Sequence, residues 1–111
     1  MNTATFGALA EPHRLGMVEL LRDGPLSVGD IADRLAMGQP QASKHLRVLS
    51  DAGLVESQPA ANKRMYKLRE EPLQEMDQWL SAFRASWEAR LDRLDSLLAE
   101  MQGKSKPDEM G

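Results

Sequence analysis

With 41% hydrophobic and 28% charged side chains, the 111 residues have the composition of one helix-rich globular domain rather than of a disordered chain. The chain contains no cysteine, which excludes disulfides, thiolate metal sites, cysteine nucleophiles and thiol-based redox sensing. The formal net charge of −3 would argue against a nucleic-acid partner if it were evenly spread, but residues 39–69 hold six basic and two acidic side chains, whereas both flanking segments are acidic.

Residues 3–22 predict two helices. Apolar side chains recur through this segment at helical spacing, and Pro12 suits the first turn of a new helix, where its missing N–H is not needed. Residues 23–25, Asp-Gly-Pro, end the second helix because glycine tolerates the left-handed exit conformation and proline cannot continue the hydrogen-bond ladder. The hydroxyl of Ser27 is then placed to cap a short third helix that ends near Ala36.

Residues 39–52 predict a fourth helix, separated from the third by a turn of about four residues. Pro40 suits its first turn, and Gly53 suits the left-handed residue that follows its end. The side chains that can face inward are Ala42, Leu46, Val48 and Leu49, and those on or beside the open face are Gln41, Ser43, Lys44, His45 and Arg47. A short helix, a tight turn and a polar-faced second helix form the helix-turn-helix pattern.

Residues 55–58 and 65–68 have strand-like composition and predict a β-hairpin. The connecting residues begin with a proline and end in Asn62, Lys63 and Arg64, so the hairpin is expected to have a basic tip. Such a hairpin after a helix-turn-helix is a candidate wing. The predicted fold is therefore mainly α with a small β-hairpin, a winged helix-turn-helix with four helices, two strands and a final helix.

The final helix is the longest, about residues 73–101, and follows Pro72. At 1.5 Å per residue it would run about 43 Å, longer than one side of so small a domain, so part of it should meet another chain. Two apolar rows recur every seven residues, although Arg90 interrupts the second row and argues against a long regular coiled coil. The expected dimer contacts, from both terminal helices, are Phe6, Leu73, Met76, Leu80, Phe83, Trp87, Leu91, Leu94 and Leu97.

Two other uses of the final helix stay open. It can pack only on its own domain, as most amphipathic helices do, or Trp79, Phe83 and Trp87 can line a ligand pocket between subunits. Residues 1–102 are expected to form one DNA-binding and dimerisation domain, and residues 103–111 a disordered tail.

Several segments resemble the ArsR family of bacterial transcriptional repressors: residues 8–15, 26–28, 39–49, 52–55 and 66–68. The most specific part is Ser-Lys-His-Leu-x-x-Leu, beginning at Ser43, followed by Ala-Gly-Leu-Val from Ala52. The resemblance covers about residues 5–98. It implies a winged-helix homodimer that represses by occupying a palindromic operator and, in many members, leaves the operator when an inducer binds.

The expected DNA-binding residues lie in the fourth helix and the wing. Gln39 and Gln41 stand at the amino end of the helix, where glutamine can pair with adenine, although Gln39 can instead serve only as a cap. The remaining candidates are Ser43, Lys44, His45, Arg47, Asn62, Lys63 and Arg64. Each candidate also has an alternative that involves no DNA. The charged side chains can form an ordinary solvated surface. Ser43 can bond to its own backbone, and His45 can be a half-buried residue that supports the helix.

Metal-sensing members of the family usually carry cysteines in the helix before the recognition helix, or aspartate and histidine pairs in the last helix. This sequence departs from both patterns, because its last helix offers Glu88, Asp92 and Asp95 but no histidine. His13 is expected to be structural, and two histidines so far apart in sequence form no local metal pair. We therefore expect no metal and no cofactor.

The sequence predicts a homodimeric, sequence-specific repressor of transcription. The alternative is a winged-helix module that binds a partner protein instead of DNA, as the acidic total suggests. An enzyme is not expected, since the chain has no glycine-rich phosphate loop and no recognisable set of nucleophile, base and orienting acid. No apolar run approaches the roughly 18 residues needed to span a bilayer, and the first residues lack the pattern of a secretory signal. We therefore expect a cytoplasmic protein. A small-molecule inducer, a partner protein and plain autorepression all stay open.

Overall fold

The computed structural model describes residues 2–105, with side chains described for residues 2–102. The elements in chain order are α1 (Thr3–Leu9), α2 (Pro12–Leu21), β1 (Leu26–Ser27), α3 (Val28–Arg34), α4 (Gln39–Asp51), β2 (Val55–Ala60), β3 (Lys63–Leu68) and α5 (Glu70–Ser105). This order confirms the winged helix-turn-helix and adds one short strand, β1, that the sequence did not reveal. The chain forms two units, the first ending at Met76 and the second beginning at Asp77.

Side-chain caps set the starts of the first three helices. The Asn2 side chain accepts a hydrogen bond from the Ala4 N–H at 2.8 Å, and the Glu11 carboxylate accepts one from the Arg14 N–H at 3.0 Å. Ser27 Oγ accepts the Asp30 N–H at 3.1 Å, which confirms the predicted cap of α3. Each bond satisfies an amide that would otherwise lack a partner in the first helical turn.

The core of the first unit lies where α2, α3 and α4 meet the start of β2. Its fully buried large side chains are Met17, Ile31, Leu46, Leu49, Leu54 and Val55. Within α4 the buried positions Ala42, Leu46 and Leu49 follow a spacing of four and then three, which is one face of a helix. Val48 is 40% exposed, so the prediction that it faces inward is wrong: it lies about 100° around the helix from Leu49.

The sheet has three antiparallel strands in the order β1-β3-β2. The hairpin is longer than predicted, because its pairing runs from Val55 with Leu68 to Ala60 with Lys63. Lys63 and Arg64 therefore belong to β3, and only Ala61 and Asn62 form the loop. Proline is tolerated within β2 because that strand lies at the sheet edge. β1 escaped prediction because a strand of two residues is too short to show alternation.

Gly53, which follows α4, has φ +78°, in the left-handed region that glycine adopts without penalty. We expect Gly53→Ala to lower the free energy of unfolding by about 1–2 kcal/mol, the cost of that conformation for a residue with a Cβ. Gly7, inside α1 with no atom within 4 Å of an added Cβ, is the matched control. Gly7→Ala should instead raise stability by about 0.5–1 kcal/mol. Urea denaturation measures both, and equal effects would contradict the assignment.

α5 begins before the predicted Leu73, because Pro72 falls in the first helical turn, where a missing N–H costs little. It is described through Ser105, past the expected domain boundary at residue 102. The rest of the expected disordered tail, 106–111, lies outside the described residues. None of the described helices is both long and apolar enough to cross a membrane.

Candidate nucleic-acid interface

The amino-terminal part of α4 presents a polar face. Gln39, Gln41, Ser43, Lys44 and Arg47 are all exposed, as the sequence predicted for the open face of this helix. Gly38 precedes the helix without a side-chain cap, so the first amides of α4 receive no side-chain acceptor. Free amides at a helix start favour an anionic partner such as a phosphate.

A groove of about 300 Å³ lies between α3, the start of α4 and the wing. It brings Gln39 together with three wing residues, Asn62, Lys63 and Arg64, which the sequence places more than twenty positions away. Asp30 and Asp33 of α3 line the same groove. The groove therefore joins the candidate DNA-binding residues of helix and wing, with two carboxylates on its α3 side.

Although Gln39 is exposed, the end of its side chain lies close to Gly29 of α3. A Cβ built on Gly29 would lie 3.3 Å from Gln39 Nε2, so the glutamine side chain lies back against α3. The absence of a side chain at Gly29 makes room for it. Base reading by Gln39 stays a prediction, and the exposed Gln41 has the freer side chain for that role.

The basic residues of the segment 39–69 fall into two groups. Lys67 Nζ lies 3.9 Å from Glu56 Oε1, and Arg69 Nε lies 3.6 Å from Glu71 Oε1, so both cations have acidic neighbours. Lys44, Arg47, Lys63 and Arg64 make no ion pair with any side chain in the described part of the chain. Arg64 Nη1 donates to Ser57 Oγ at 2.9 Å, which orients it along the hairpin. Among the basic residues of the segment 39–69, these four are therefore the ones without an acidic neighbour within ion-pair distance.

His45 does not join the open face of α4. Its side chain is only 18% exposed and stacks on the His13 ring, with the ring centroids 5.3 Å apart. The two histidines form no local pair in the sequence, but α2 packs against α4 and brings their rings together in the fold. His45 has the half-buried supporting position that was the alternative to DNA contact.

Glu11 lies between these two imidazoles, and sequence reasoning did not identify it as a functional residue. Its Oε1 is 2.8 Å from His13 Nδ1, and its Oε2 is 3.7 Å from His45 Nδ1. Partial burial raises the pKa of the Glu11 carboxyl, but hydrogen bonds from His13 and the Arg14 N–H, with the electrostatic influence of both imidazoles, hold the net pKa below its ordinary value. Two imidazoles and a carboxylate are a set that could hold a metal ion.

The apolar residues of α5 differ in their surroundings. Leu73 is half-buried against the core of the first unit, and Met76 is also half-buried, so Leu73 stabilises its own domain. Leu80, Phe83, Trp87, Leu91, Leu94 and Leu97 are each 49–56% exposed, and Phe6 of α1 is also exposed. Six large apolar side chains along one helix are typical of an interface with another chain. Their role in a dimer stays a prediction.

The aromatic residues of α5 contact one another or a neighbouring cation. Trp79 meets Phe83 edge to face, with centroids 4.7 Å apart, and the Arg90 guanidinium lies 5.4 Å from the Trp87 ring centroid. The depression beside Phe83 is bounded by Ala82, Phe83 and Ser86 and measures about 180 Å³. This is smaller than the roughly 300–1,000 Å³ typical of a small-molecule site.

Comparison with known proteins identifies the helix-turn-helix. A family model described as a helix-turn-helix domain matches residues 9–58. The chain is 46% identical over 61 residues to the HTH-type transcriptional regulator Rv2034 of Mycobacterium tuberculosis, a match covering 55% of this chain and 57% of that protein. It is 35% identical over 78 residues to the arsenical resistance operon repressor of Staphylococcus xylosus, covering 70% of this chain and 75% of that repressor.

A solved structure extends the likeness to three dimensions. The homodimeric winged helix-turn-helix DNA-binding domain of a possible ArsR-family transcriptional regulator from Mycobacterium bovis superposes with a TM-score of 0.63 at 25% identity. The superposition covers 79% of this chain and 82% of that domain.

Proposed function

The chain belongs to the ArsR family of winged-helix transcriptional regulators, and we propose that it represses transcription as a homodimer bound to a palindromic operator. The observation that carries the proposal is the placement of unpaired cations on α4 and β3, within an otherwise acidic chain. A cytoplasmic location follows, since a repressor acts where the chromosome is. The family consists of DNA-binding regulators, not enzymes.

In the proposed complex α4 lies in the major groove and the wing follows the flanking backbone. Gln41 is placed to read base edges, while Lys44, Arg47, Lys63 and Arg64 contact phosphates. Pairing through α5 supplies the second recognition helix, which must lie about 34–36 Å from the first to meet the next turn of the same DNA face. The two-fold symmetry of such a dimer requires a palindromic operator.

Salt dependence distinguishes this function from binding to a partner protein. The test is fluorescence anisotropy with the chain's own promoter fragment and with random DNA of equal length, between 50 and 300 mM salt. We expect the promoter fragment to bind at least about a thousandfold more tightly, with affinity falling steeply as salt rises because bound counterions are released. Equal affinity for both DNAs, or no salt dependence, would contradict the proposal.

Gln41→Ala tests base reading. We expect this variant to lose about 1–3 kcal/mol of preference for the operator over an operator changed at one base pair, while its affinity for random DNA stays the same. Selection of DNA from a random pool by both proteins identifies the affected base. If the variant selects the same sequence with the same stringency, Gln41 is a surface residue only.

Repression by this mechanism requires only that the dimer occupy its operator, and it needs no inducer. Sequencing the chromosomal fragments that the purified protein retains identifies the neighbouring genes and, through them, the class of signal to test.

A further inference from the structure

The Glu11–His13–His45 cluster, defined by these three side chains, joins the first turn of α2 to the middle of α4. One candidate ligand atom from each residue lies within 4.8 Å of the other two. Arg14 follows the cluster but directs its guanidinium elsewhere, with Nε donating to the Ala8 carbonyl at 2.7 Å. Among the described residues, the ion pairs of Glu11 are therefore both with imidazoles.

We propose that the Glu11–His13–His45 cluster binds one divalent transition-metal ion of the borderline class, such as Zn²⁺ or Co²⁺. Neutral imidazole nitrogens and a carboxylate oxygen are the donors such ions accept in proteins. The site uses no thiolate and lies in neither the helix before the recognition helix nor the last helix. It is a site of three protein ligands, with a water molecule completing the coordination.

The distances suit this assignment. Ligand atoms that share a metal at 2.0–2.2 Å lie about 3.0–3.5 Å apart. The two measured separations, 2.8 Å from Glu11 Oε1 to His13 Nδ1 and 3.7 Å from Glu11 Oε2 to His45 Nδ1, fall on either side of that range. The longer separation exceeds a hydrogen bond, so His45 Nδ1 faces the carboxylate without being bonded to it. Because the two rings are stacked, one ring has to rotate before both Nδ1 lone pairs can point at one ion. The exposed His13 side chain can rotate in this way, and its exposure gives the ion an entry path.

The negative charge of Glu11 makes the site compatible with a bound cation. The amino end of α2 carries a partial positive charge that would repel a cation, and the Glu11 carboxylate offsets this charge. The same carboxylate accepts a hydrogen bond from the Arg14 N–H at 3.0 Å, which fixes its orientation. Carboxylates that bind metals are commonly oriented by such hydrogen bonds. Metal binding at His13 Nδ1 would replace its hydrogen bond to Glu11 and leave the ring N–H on Nε2, the nitrogen that does not bind the ion.

The chain has only two histidines, so nuclear magnetic resonance of the imidazole nitrogens reports both proposed histidine ligands directly. The experiment adds Zn²⁺ to the full-length, tag-free protein without DNA. We expect both imidazole signals to shift together and to stop shifting at one equivalent of Zn²⁺. Signals that do not move, or that move at different Zn²⁺ concentrations, would overturn the proposal. This outcome is independent of operator binding.

Substitutions then test each ligand. His13→Gln and His45→Gln should each weaken Zn²⁺ binding at least about tenfold, measured by competition with a chelator. Glu19→Gln, which removes one exposed carboxylate from the same helix, is the matched control and should keep the original affinity. Amide spectra verify that each variant is folded. If His13→Gln, the more exposed position, binds Zn²⁺ as tightly as the original protein, the cluster is not a metal site.

Discussion

Replacing both Lys44 and Arg47 of α4 with alanine is expected to weaken operator binding at least about a hundredfold near 150 mM salt. The dimer would lose four cations at its phosphate contacts, and each contact contributes about 0.9 to the slope of log affinity against log salt. We therefore expect the slope to become shallower by about 3–4. Affinity for random DNA should fall by a similar factor, because phosphate contacts carry little sequence information.

Arg22→Glu is the control for this double substitution. It changes the net charge by the same amount at a side chain that is 79% exposed and does not line the groove between α3, α4 and the wing. If the loss of affinity came from total charge, both variants would bind equally weakly. A steep loss in the α4 variant alone assigns the effect to that helix, whereas unchanged binding by the α4 variant would place the DNA elsewhere.

Leu94→Glu in α5 is expected to convert the dimer into a monomer. Leu94 is 49% exposed, so burying the exposed half of two leucines, one from each chain, contributes about 1.5–3 kcal/mol. Losing them weakens dimerisation by about 10- to 100-fold, and burying the introduced carboxylates costs several kcal/mol more, so the total loss exceeds about 10²-fold. A monomer engages one half-site, so operator affinity should fall by about 10²- to 10⁴-fold as well. Sedimentation and anisotropy measure the two effects.

Ser96→Glu is the control for that substitution. Ser96 is exposed and lies about 200° around the helix from Leu94, away from the apolar row. It adds the same charge to the same helix and should leave the dimer intact. If Leu94→Glu stays dimeric at micromolar concentration, the exposed apolar row of α5 serves another purpose and the proposed operator geometry fails.

Short-range signals in the sequence predicted most of the fold. These signals act within one helical turn, so their effect does not depend on the rest of the molecule. They include the cap at Ser27, the proline in the first turn of α2 (Pro12) and the glycine after α4 (Gly53). The hairpin was predicted too short, because alternation weakens where alanines and a proline replace large side chains. β1 was missed because its two residues are a strand only through pairing with β3.

The sequence by itself determined the number and order of the helices, the polar face of α4 and the location of the basic segment, because these depend on residue type and on spacing along the chain. Only the tertiary structure decided that His45 turns away from that face to meet His13 and Glu11. The packing of α2 against α4 sets this contact, and no local periodicity contains the orientation of one helix against another. Tertiary packing also decided that Val48 is exposed, and the positions of α3 and the wing beside the start of α4 decided that Gln39 borders a groove.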